Sequence, residues 1–173
     1  MTLVRWRVPL FFVYSYYKLR EWKNIIRGGI KMKYVFLVSH GTLAPGLHDA
    51  LSMLAGGGRE DIISTSLENG MGSDTYADNV RKCIAKVTGQ DEILLFGDIV
   101  GGSPLTTASN IIAEQGLLQR TVIVGGMNLP LALSAVLMKD TMDTAELITM
   151  LLPEAREELK EFKVADEEPE DDI

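Results

Sequence analysis

Short apolar runs alternate along the chain with longer segments in which apolar residues recur every three or four positions. The short runs predict strands that are buried on both faces, and they cover residues 34–38, 62–63, 91–97 and 121–124. The periodic segments predict helices, and they cover residues 45–54, 73–87, 103–116, 131–138 and 144–159. This alternation predicts an α/β fold with a mostly parallel, doubly wound sheet of four strands and helices on both faces.

Single residues mark some of the ends of these elements. Ser73 is predicted to be the N-cap of the second helix, and Pro104 suits the first turn of the third helix. Two residues with reactive side chains fall inside helices. Cys83 is expected to be buried as a small apolar residue, and His48 is expected to be a packed or solvated helix residue.

The loops at one edge of the predicted sheet hold the residues that could perform chemistry. Ligands of parallel sheets bind beyond the carboxyl ends of the strands, near the point where the strand order reverses. That edge gathers the loops at residues 39–41, 98–103 and 125–129. His40 follows the first strand and Asp98 ends the third. The two side chains would therefore be neighbours if these strands are adjacent.

These residue types in this order point to phosphoryl transfer. A carboxylate that accepts a hydrogen bond from one imidazole nitrogen leaves the other nitrogen free to act as a nucleophile. Gly101 and Gly102 let the backbone approach a ligand closely, and Ser103 adds a hydroxyl at a helix N-terminus, which favours phosphate. Taken together, His40, Asp98 and this helix start predict a phosphohistidine intermediate. Taken singly, each has a structural interpretation, as a histidine at a strand end or as an ordinary strand-to-helix turn.

Composition excludes several other functions. The chain has 173 residues, of which 46% are hydrophobic, and a net charge of −7. A net acidic chain lacks the cationic field that non-specific nucleic-acid binding needs. The single cysteine excludes an internal disulfide framework and a cysteine-based zinc site, and no metal or cofactor is required. No apolar run reaches the roughly 18 residues of a membrane-spanning helix, so a reduced, cytoplasmic setting is expected.

Charge and aromatic residues divide the chain into three parts. Residues 1–31 contain seven basic residues, one acidic residue and seven of the twelve aromatic residues. This segment has three interpretations: a signal peptide, a membrane-surface anchor, or an extension outside the functional domain, with Met32 as the working start. The apolar stretch is interrupted by Ser15 and no small-residue cleavage site follows it, which argues against a signal peptide. We favour the extension outside the functional domain. Residues 32–164 form the expected domain, and the acidic residues 165–173 are expected to be disordered.

Three motifs within residues 32–164 resemble the enzyme IIA component of the mannose-type (mannose, fructose and sorbose) sugar phosphotransferase system. They are Ser39-His40-Gly41 at the end of the first strand, Asp98-x-x-Gly101-Gly102-Ser103-Pro104, and Gly126-Met127-Asn128-Leu129-Pro130 after the fourth strand. Jointly these motifs are specific, whereas the first alone would be a weak signal.

The resemblance implies a role for each matching residue. His40 would accept a phosphoryl group from the histidine phosphocarrier protein and pass it to enzyme IIB, which phosphorylates the transported sugar. Asp98 would orient His40, and Ser103 with Gly101 and Gly102 would hold the phosphate. Enzyme IIB would be a separate polypeptide, and the link to the membrane would run only through the transporter subunits. The resemblance also implies a homodimer that exchanges a terminal strand, for which residues 162–164 are the candidate.

Two other functions stay open at this point. The phosphoryl-carrying subunit of dihydroxyacetone kinase is similar in fold and keeps the Ser-His strand end, but it lacks the loop at residues 101–104. A regulatory module would be phosphorylated on His40 without passing the group on. Ile99 and Val100 depart from the more polar and aromatic residues of some family members. Apolar residues on the surrounding loops are expected either to form a docking rim or to pack in the core; these are Leu43, Met71, Leu105 and Met127.

Overall fold

Four strands and five helices make up residues 31–162, the part of the chain that the computed structural model describes. The strands are Lys33–His40 (β1), Ile62–Leu67 (β2), Glu92–Gly97 (β3) and Thr121–Gly125 (β4). The helices are Leu43–Ala55 (α1), Ser73–Ile84 (α2), Ser103–Glu114 (α3), Leu129–Met138 (α4) and Thr144–Glu157 (α5). A short 3₁₀ turn, Leu118–Arg120, leads into β4.

The strands form a parallel sheet in the order β2-β1-β3-β4. The chain first adds β2 on one side of β1 and then returns to add β3 on the other side. The order therefore reverses between β1 and β3, which is where such sheets place their binding crevice. Val38 of β1 lies opposite Gly97 of β3, so His40 and Asp98 leave the sheet side by side.

Helices cover both faces of the sheet, which confirms the predicted layers. One face packs against α1, α4 and α5 through a core that includes Leu37, Phe96, Leu51 and Leu147. The other face packs against α2 and α3, because successive side chains of a strand point to opposite faces. The strands of the inner pair are almost wholly buried, in agreement with their unbroken apolar runs.

Charged side chains form ion pairs at the end of the sheet opposite to His40. The ammonium of Lys139, which is 3% exposed, lies 2.8 Å from the Asp61 carboxylate and 2.6 Å from that of Asp140. Arg59 donates to both oxygens of Asp61. Burial alone would raise the pKa of Asp61, but the hydrogen bonds and positive charges of Arg59 and Lys139 outweigh it and lower that pKa. These ion pairs join the end of α4 to the start of β2.

Some local predictions were wrong. Ser73 is the first residue of α2, and Gly72 holds the N-cap position with extended backbone. The helical hydrogen bonds start there, since Tyr76 N–H donates to the Gly72 carbonyl. Cys83 is half-buried instead of buried, because it lies at the side of α2 next to the edge strand, with Sγ 3.8 Å from the Ser64 carbonyl.

Other predictions fall partly or wholly outside the described residues. Phe162, the first residue of the predicted last strand, belongs to no strand, and residues 163–164 are not among those described. The acidic segment 165–173 and nearly all of the basic segment 1–31 also lie outside them. Within residues 31–162, none of the helices has the length and apolar character needed to cross a membrane.

Candidate active site

His40 ends β1, and its imidazole reaches solvent. The side chain is 43% exposed, whereas the rest of the strand is buried. The turn into α1 is tight: Gly41 has a φ of 57°, and its N–H donates to the Leu67 carbonyl. The buried Ser39 hydroxyl accepts a 2.7 Å hydrogen bond from Ala44 N–H. These contacts fix the backbone on both sides of His40, so that an exposed ring stands on a rigid strand end.

Asp98 holds His40 by two hydrogen bonds to one carboxylate oxygen. Oδ2 accepts from the His40 backbone N–H at 2.9 Å and from ring Nδ1 at 2.9 Å. Oδ1 accepts from Ile99 N–H at 2.9 Å. Asp98 itself is only 11% exposed. The carboxylate is therefore fixed by backbone donors, and it in turn fixes the rotation of the imidazole.

The ionisation of Asp98 decides the tautomer of His40. Burial acts to raise the pKa of Asp98, but the hydrogen bonds from the His40 backbone and ring and the charge of His40 outweigh it, so the pKa lies below its usual value. An ionised carboxylate can only accept hydrogen bonds. Nδ1 must therefore carry a proton, so that in the neutral imidazole the lone pair is on Nε2, the ring nitrogen that is not bound to Asp98.

The N-terminus of α3 lies against the same ring. Gly102 holds the N-cap position of α3, where no side chain caps the helix. A Cβ on Gly102 would lie 3.1 Å from Cε1 of His40, so only glycine brings the backbone this close without displacing the ring. Ser103 follows as an exposed residue. The helix start that lies against the imidazole thus has no side-chain cap, and the exposed Ser103 belongs to the same turn.

Tyr76 of α2 supports this helix start, and the sequence analysis missed it. The side chain is 1% exposed, and its hydroxyl donates a 3.1 Å hydrogen bond to the Pro104 carbonyl in the first turn of α3. Burial, with contributions from Cys83 and Asp98, raises the pKa of this hydroxyl, which stays a donor at all working pH values. The only sequence signal was a large aromatic residue on the apolar face of an otherwise polar helix.

The loop residues expected either to form a rim or to pack divide into two groups. Leu105 and Met127 are 5% and 8% exposed and belong to the core, because the helix and turn that carry them point these side chains inward. Leu43 is 52% exposed. Ile99 and Val100, the residues that depart from the family pattern, are 56% and 77% exposed. The exposed apolar residues in the segments that follow His40 and Asp98 are therefore Leu43, Ile99 and Val100.

His48, the second histidine of the chain, lies away from this site. It sits in the middle of α1, where Nδ1 is 2.9 Å from the Ser64 hydroxyl of β2. Burial lowers its pKa more than the charge of Asp49 raises it. It is a half-buried, hydrogen-bonded residue, as expected. Within residues 31–162, no group of three or more His, Cys, Asp and Glu residues could hold a metal ion.

Comparison with known families identifies the chain. A model of the family described as "PTS system fructose IIA component" matches residues 34–152. The chain belongs to this family. It is also 24% identical over 145 residues to the fructose-specific EIIA component of the phosphotransferase system of Bacillus subtilis. That match covers 80% of this chain and 97% of the relative.

Solved structures share the fold. The mannose/sorbose-specific IIA subunit of Enterococcus faecalis has a TM-score of 0.65 at 19% identity, covering 79% of this chain and 98% of its own. The phosphotransferase system component EIIA of Streptococcus agalactiae has a TM-score of 0.63 at 21% identity, covering 75% and 97%. Identities this low establish a shared fold only.

Family membership confirms the resemblance seen in the sequence motifs. The protein is an EIIA component, a phosphoryl carrier of a sugar phosphotransferase system that transfers the group through a histidine. Membership implies the histidine phosphocarrier protein and enzyme IIB as its partners.

Replacing Asp98 by Asn is expected to slow phosphoryl transfer while the protein stays folded. The amide oxygen can still accept from the His40 backbone, but its NH₂ group then favours the tautomer with the proton on Nε2. We expect transfer from the phosphocarrier to fall by about 10- to 100-fold, measured by quenched-flow labelling. Asp78→Asn, at an exposed surface ion pair, is the matched control. An unchanged rate in Asp98→Asn would remove Asp98 from the reaction.

Proposed function

We propose that His40 is the residue that carries the phosphoryl group, with Asp98 orienting it and Ser103, Gly101 and Gly102 holding the phosphate. One observation carries this proposal: the exposed imidazole at the switch point of the sheet is bound through Nδ1 to a partly buried carboxylate. The chain has only two histidines. Within residues 31–162, His48 is hydrogen-bonded to Ser64 of β2 and to no carboxylate.

The proposed reaction is a direct exchange between two imidazoles. The Nε2 lone pair of His40 attacks the phosphorus of the phosphorylated carrier histidine. The new N–P bond forms as the old one breaks, and the electron pair of the broken bond returns to the carrier's ring. Nδ1 keeps its proton, so the phosphorylated ring carries positive charge, which the Asp98 carboxylate balances. The same steps in reverse order deliver the group to enzyme IIB.

Charge on the moving phosphoryl oxygens would be met by the start of α3. Its first turn has no side-chain cap, and the positive end of the helix dipole points to the site. The Ser103 hydroxyl adds a donor within this turn. Pro104 has no N–H group, and the Gly102 N–H already donates to the Ile99 carbonyl. The proposed backbone donors are therefore those of the other residues at this helix start, which Gly101 and Gly102 bring close to His40.

The open surroundings of His40 suit a carrier that must meet two different proteins. An imidazole that hands its group to another imidazole cannot lie in a closed pocket, because each partner's histidine must come into line with Nε2. Leu43, Ile99 and Val100 are exposed apolar residues in the segments that follow His40 and Asp98. We propose that both partners dock over these residues and exclude water during transfer. The exchange takes place in the cytoplasm in this proposal.

Replacing His40 by Ala is expected to abolish phosphorylation. The chain would be incubated with the labelled phosphocarrier, and His48→Gln would serve as the matched control that keeps full labelling. Label on the wild-type chain should be lost in acid and kept in base, as a phosphoimidazole requires. Labelled protein would then be offered enzyme IIB or the kinase subunit of dihydroxyacetone kinase.

The outcomes of this experiment separate the candidate functions. Transfer to enzyme IIB is the expected result. Transfer only to the dihydroxyacetone kinase subunit, or label that no acceptor removes, would refute the sugar-transport function in favour of the two alternatives. Persistent labelling of His40→Ala would show that another residue carries the group.

We also propose that residues 32–164 form the working domain and that it dimerises by exchanging residues 162–164. Among the described residues, β4 pairs only with β3, so its outer edge is open. Ile123 on that strand is 40% exposed, and Leu159 and Phe162 beyond α5 are 89% and 88% exposed. An open strand edge beside exposed apolar residues favours pairing with a further strand. A second copy of the chain would supply it.

Truncation at either end tests this domain proposal. Deleting residues 1–31 is expected to leave both phosphorylation and the dimer mass intact. Deleting residues 162–173 is expected to yield monomers in sedimentation velocity, and deleting only 165–173 is the matched control that keeps the dimer. A wild-type monomer, or a dimer that survives loss of 162–173, would contradict strand exchange. Loss of folding without residues 1–31 would contradict the domain start.

A further inference from the structure

The segment that follows Asp98 packs against two glycines that lie side by side in the sheet. Gly97 ends β3 and Gly125 ends β4, and the two are paired in the register of these strands. Paired residues of adjacent parallel strands point their side chains to the same face. The two glycines therefore leave a shared gap on one face, at the edge where His40 stands.

Both gaps are filled by the segment that forms the candidate phosphate site. A Cβ on Gly125 would lie 2.6 Å from Val100 Cγ2, 2.7 Å from its Cα and 2.9 Å from its backbone nitrogen. A Cβ on Gly97 would lie 2.8 Å from Cδ1 of Leu105, in the first turn of α3. The contact at Gly125 involves backbone atoms, so a side chain there cannot be accommodated by a rotamer change alone.

The other side of the same loop lies against the imidazole. Asp98 binds ring Nδ1, and Gly102 lies where a Cβ would be 3.1 Å from ring Cε1. Val100 lies between these two residues in the chain. The loop thus lies between His40 and Gly125. If Val100 were displaced from Gly125, we expect Asp98 and Gly102, the residues that hold the ring, to move with it.

The turn after β4 fixes the position of Gly125 relative to β3. Met127 N–H donates a 2.9 Å hydrogen bond to the carbonyl of Gly97, the residue before Asp98. Asn128 caps α4 by accepting from Leu131 N–H, and its amide donates to the Ala155 carbonyl of α5. None of the hydrogen bonds that the structure shows for residues 126–130 reaches the imidazole, yet this motif holds the strand end against which the loop packs.

We propose that Gly125 is a positioning residue for phosphoryl transfer. Because Gly125 has no side chain, the Val100 backbone can pack directly against the end of β4. That packing in turn fixes the positions of Asp98 and Gly102 next to His40. This inference rests on the proposed roles of His40 and Asp98. It goes beyond them by giving the motif at residues 126–130 a part in the reaction: that motif holds the end of β4, against which the Asp98 loop packs.

Gly125→Ala tests this role directly. Carbon atoms in contact prefer a separation of about 3.5 Å or more, so the Val100 Cα at 2.7 Å has to move by about 0.8 Å. Displacement on this scale is expected to slow phosphoryl transfer by about tenfold or more. It is also expected to shift the His40 ring nitrogen signals in NMR spectra of the unphosphorylated protein, because the Asp98 contact changes.

Two further variants keep the test decisive. Gly89→Ala is the matched control: a Cβ at Gly89 meets nothing within 4 Å, and the residue lies before β3 at the opposite edge of the sheet. It should leave both the transfer rate and the ring signals unchanged. In Gly97→Ala the three atoms nearest to the new Cβ all belong to the side chain of Leu105, so this variant should fold more readily than Gly125→Ala and cause smaller changes of the same kind.

Each outcome decides the inference. Shifted ring signals with slower transfer in Gly125→Ala, and neither in Gly89→Ala, would support it. Unchanged ring signals or an unchanged rate in folded Gly125→Ala would overturn it and leave the glycine a packing role. If Gly125→Ala does not fold, the same readouts on Gly97→Ala decide. Since the ring signals need no phosphate, they remain informative even if His40→Ala shows that another residue is phosphorylated.

Discussion

The hydrogen bonds of one carboxylate organise this protein. Asp98 accepts from the backbone of β1, from the imidazole of His40 and from its own loop. It therefore links two strands that are distant in sequence, fixes the tautomer of an exposed ring and anchors the loop that leads into α3. The depressed pKa of Asp98 follows from these contacts, and it keeps the carboxylate an acceptor throughout the neutral pH range.

Missing side chains are as important at this site as those that are present. Gly102 allows α3 to start against the imidazole, and Gly125 allows the Asp98 loop to rest on β4. A Cβ at Gly102 would press on the His40 ring, and a Cβ at Gly125 would press on the Val100 backbone. Close packing of this kind suits a phosphoryl carrier. One side of its imidazole must be held in a fixed orientation, while the reactive nitrogen stays accessible to two partner proteins in turn.

The hydrophobic pattern predicted the fold well, because buried parallel strands and amphipathic helices leave distinct periodicities. All four strands and all five helices occur in the described residues near the positions expected. The neighbouring positions of His40 and Asp98 depended on a condition that the pattern could not supply, namely that β1 and β3 are adjacent. The order β2-β1-β3-β4 meets that condition. The motifs narrowed the function further, since their combination resembles one family.

Details that depend on tertiary packing were not accessible from sequence. Leu105 and Met127 were expected either to form an exposed rim or to pack in the core, and both lie in the core; the sequence left this open, because a loop's position in sequence does not reveal which way its side chains turn. Tyr76 binds a carbonyl of a different helix, a contact with no local signature. The gap that Gly97 and Gly125 leave for the Asp98 loop exists only because the two strands pair in this register.

The nitrogen that carries phosphorus tests the central claim most directly. Because Asp98 engages Nδ1 of His40, the phosphoryl group should be bonded to Nε2. NMR of the phosphorylated, nitrogen-15-labelled protein can identify the linkage through nitrogen–phosphorus coupling. Coupling to Nε2, with a protonated Nδ1 still hydrogen-bonded, is the result that this account predicts. Coupling to Nδ1 would contradict it, because the contact with Asp98 would then have to break before the protein could accept its phosphoryl group.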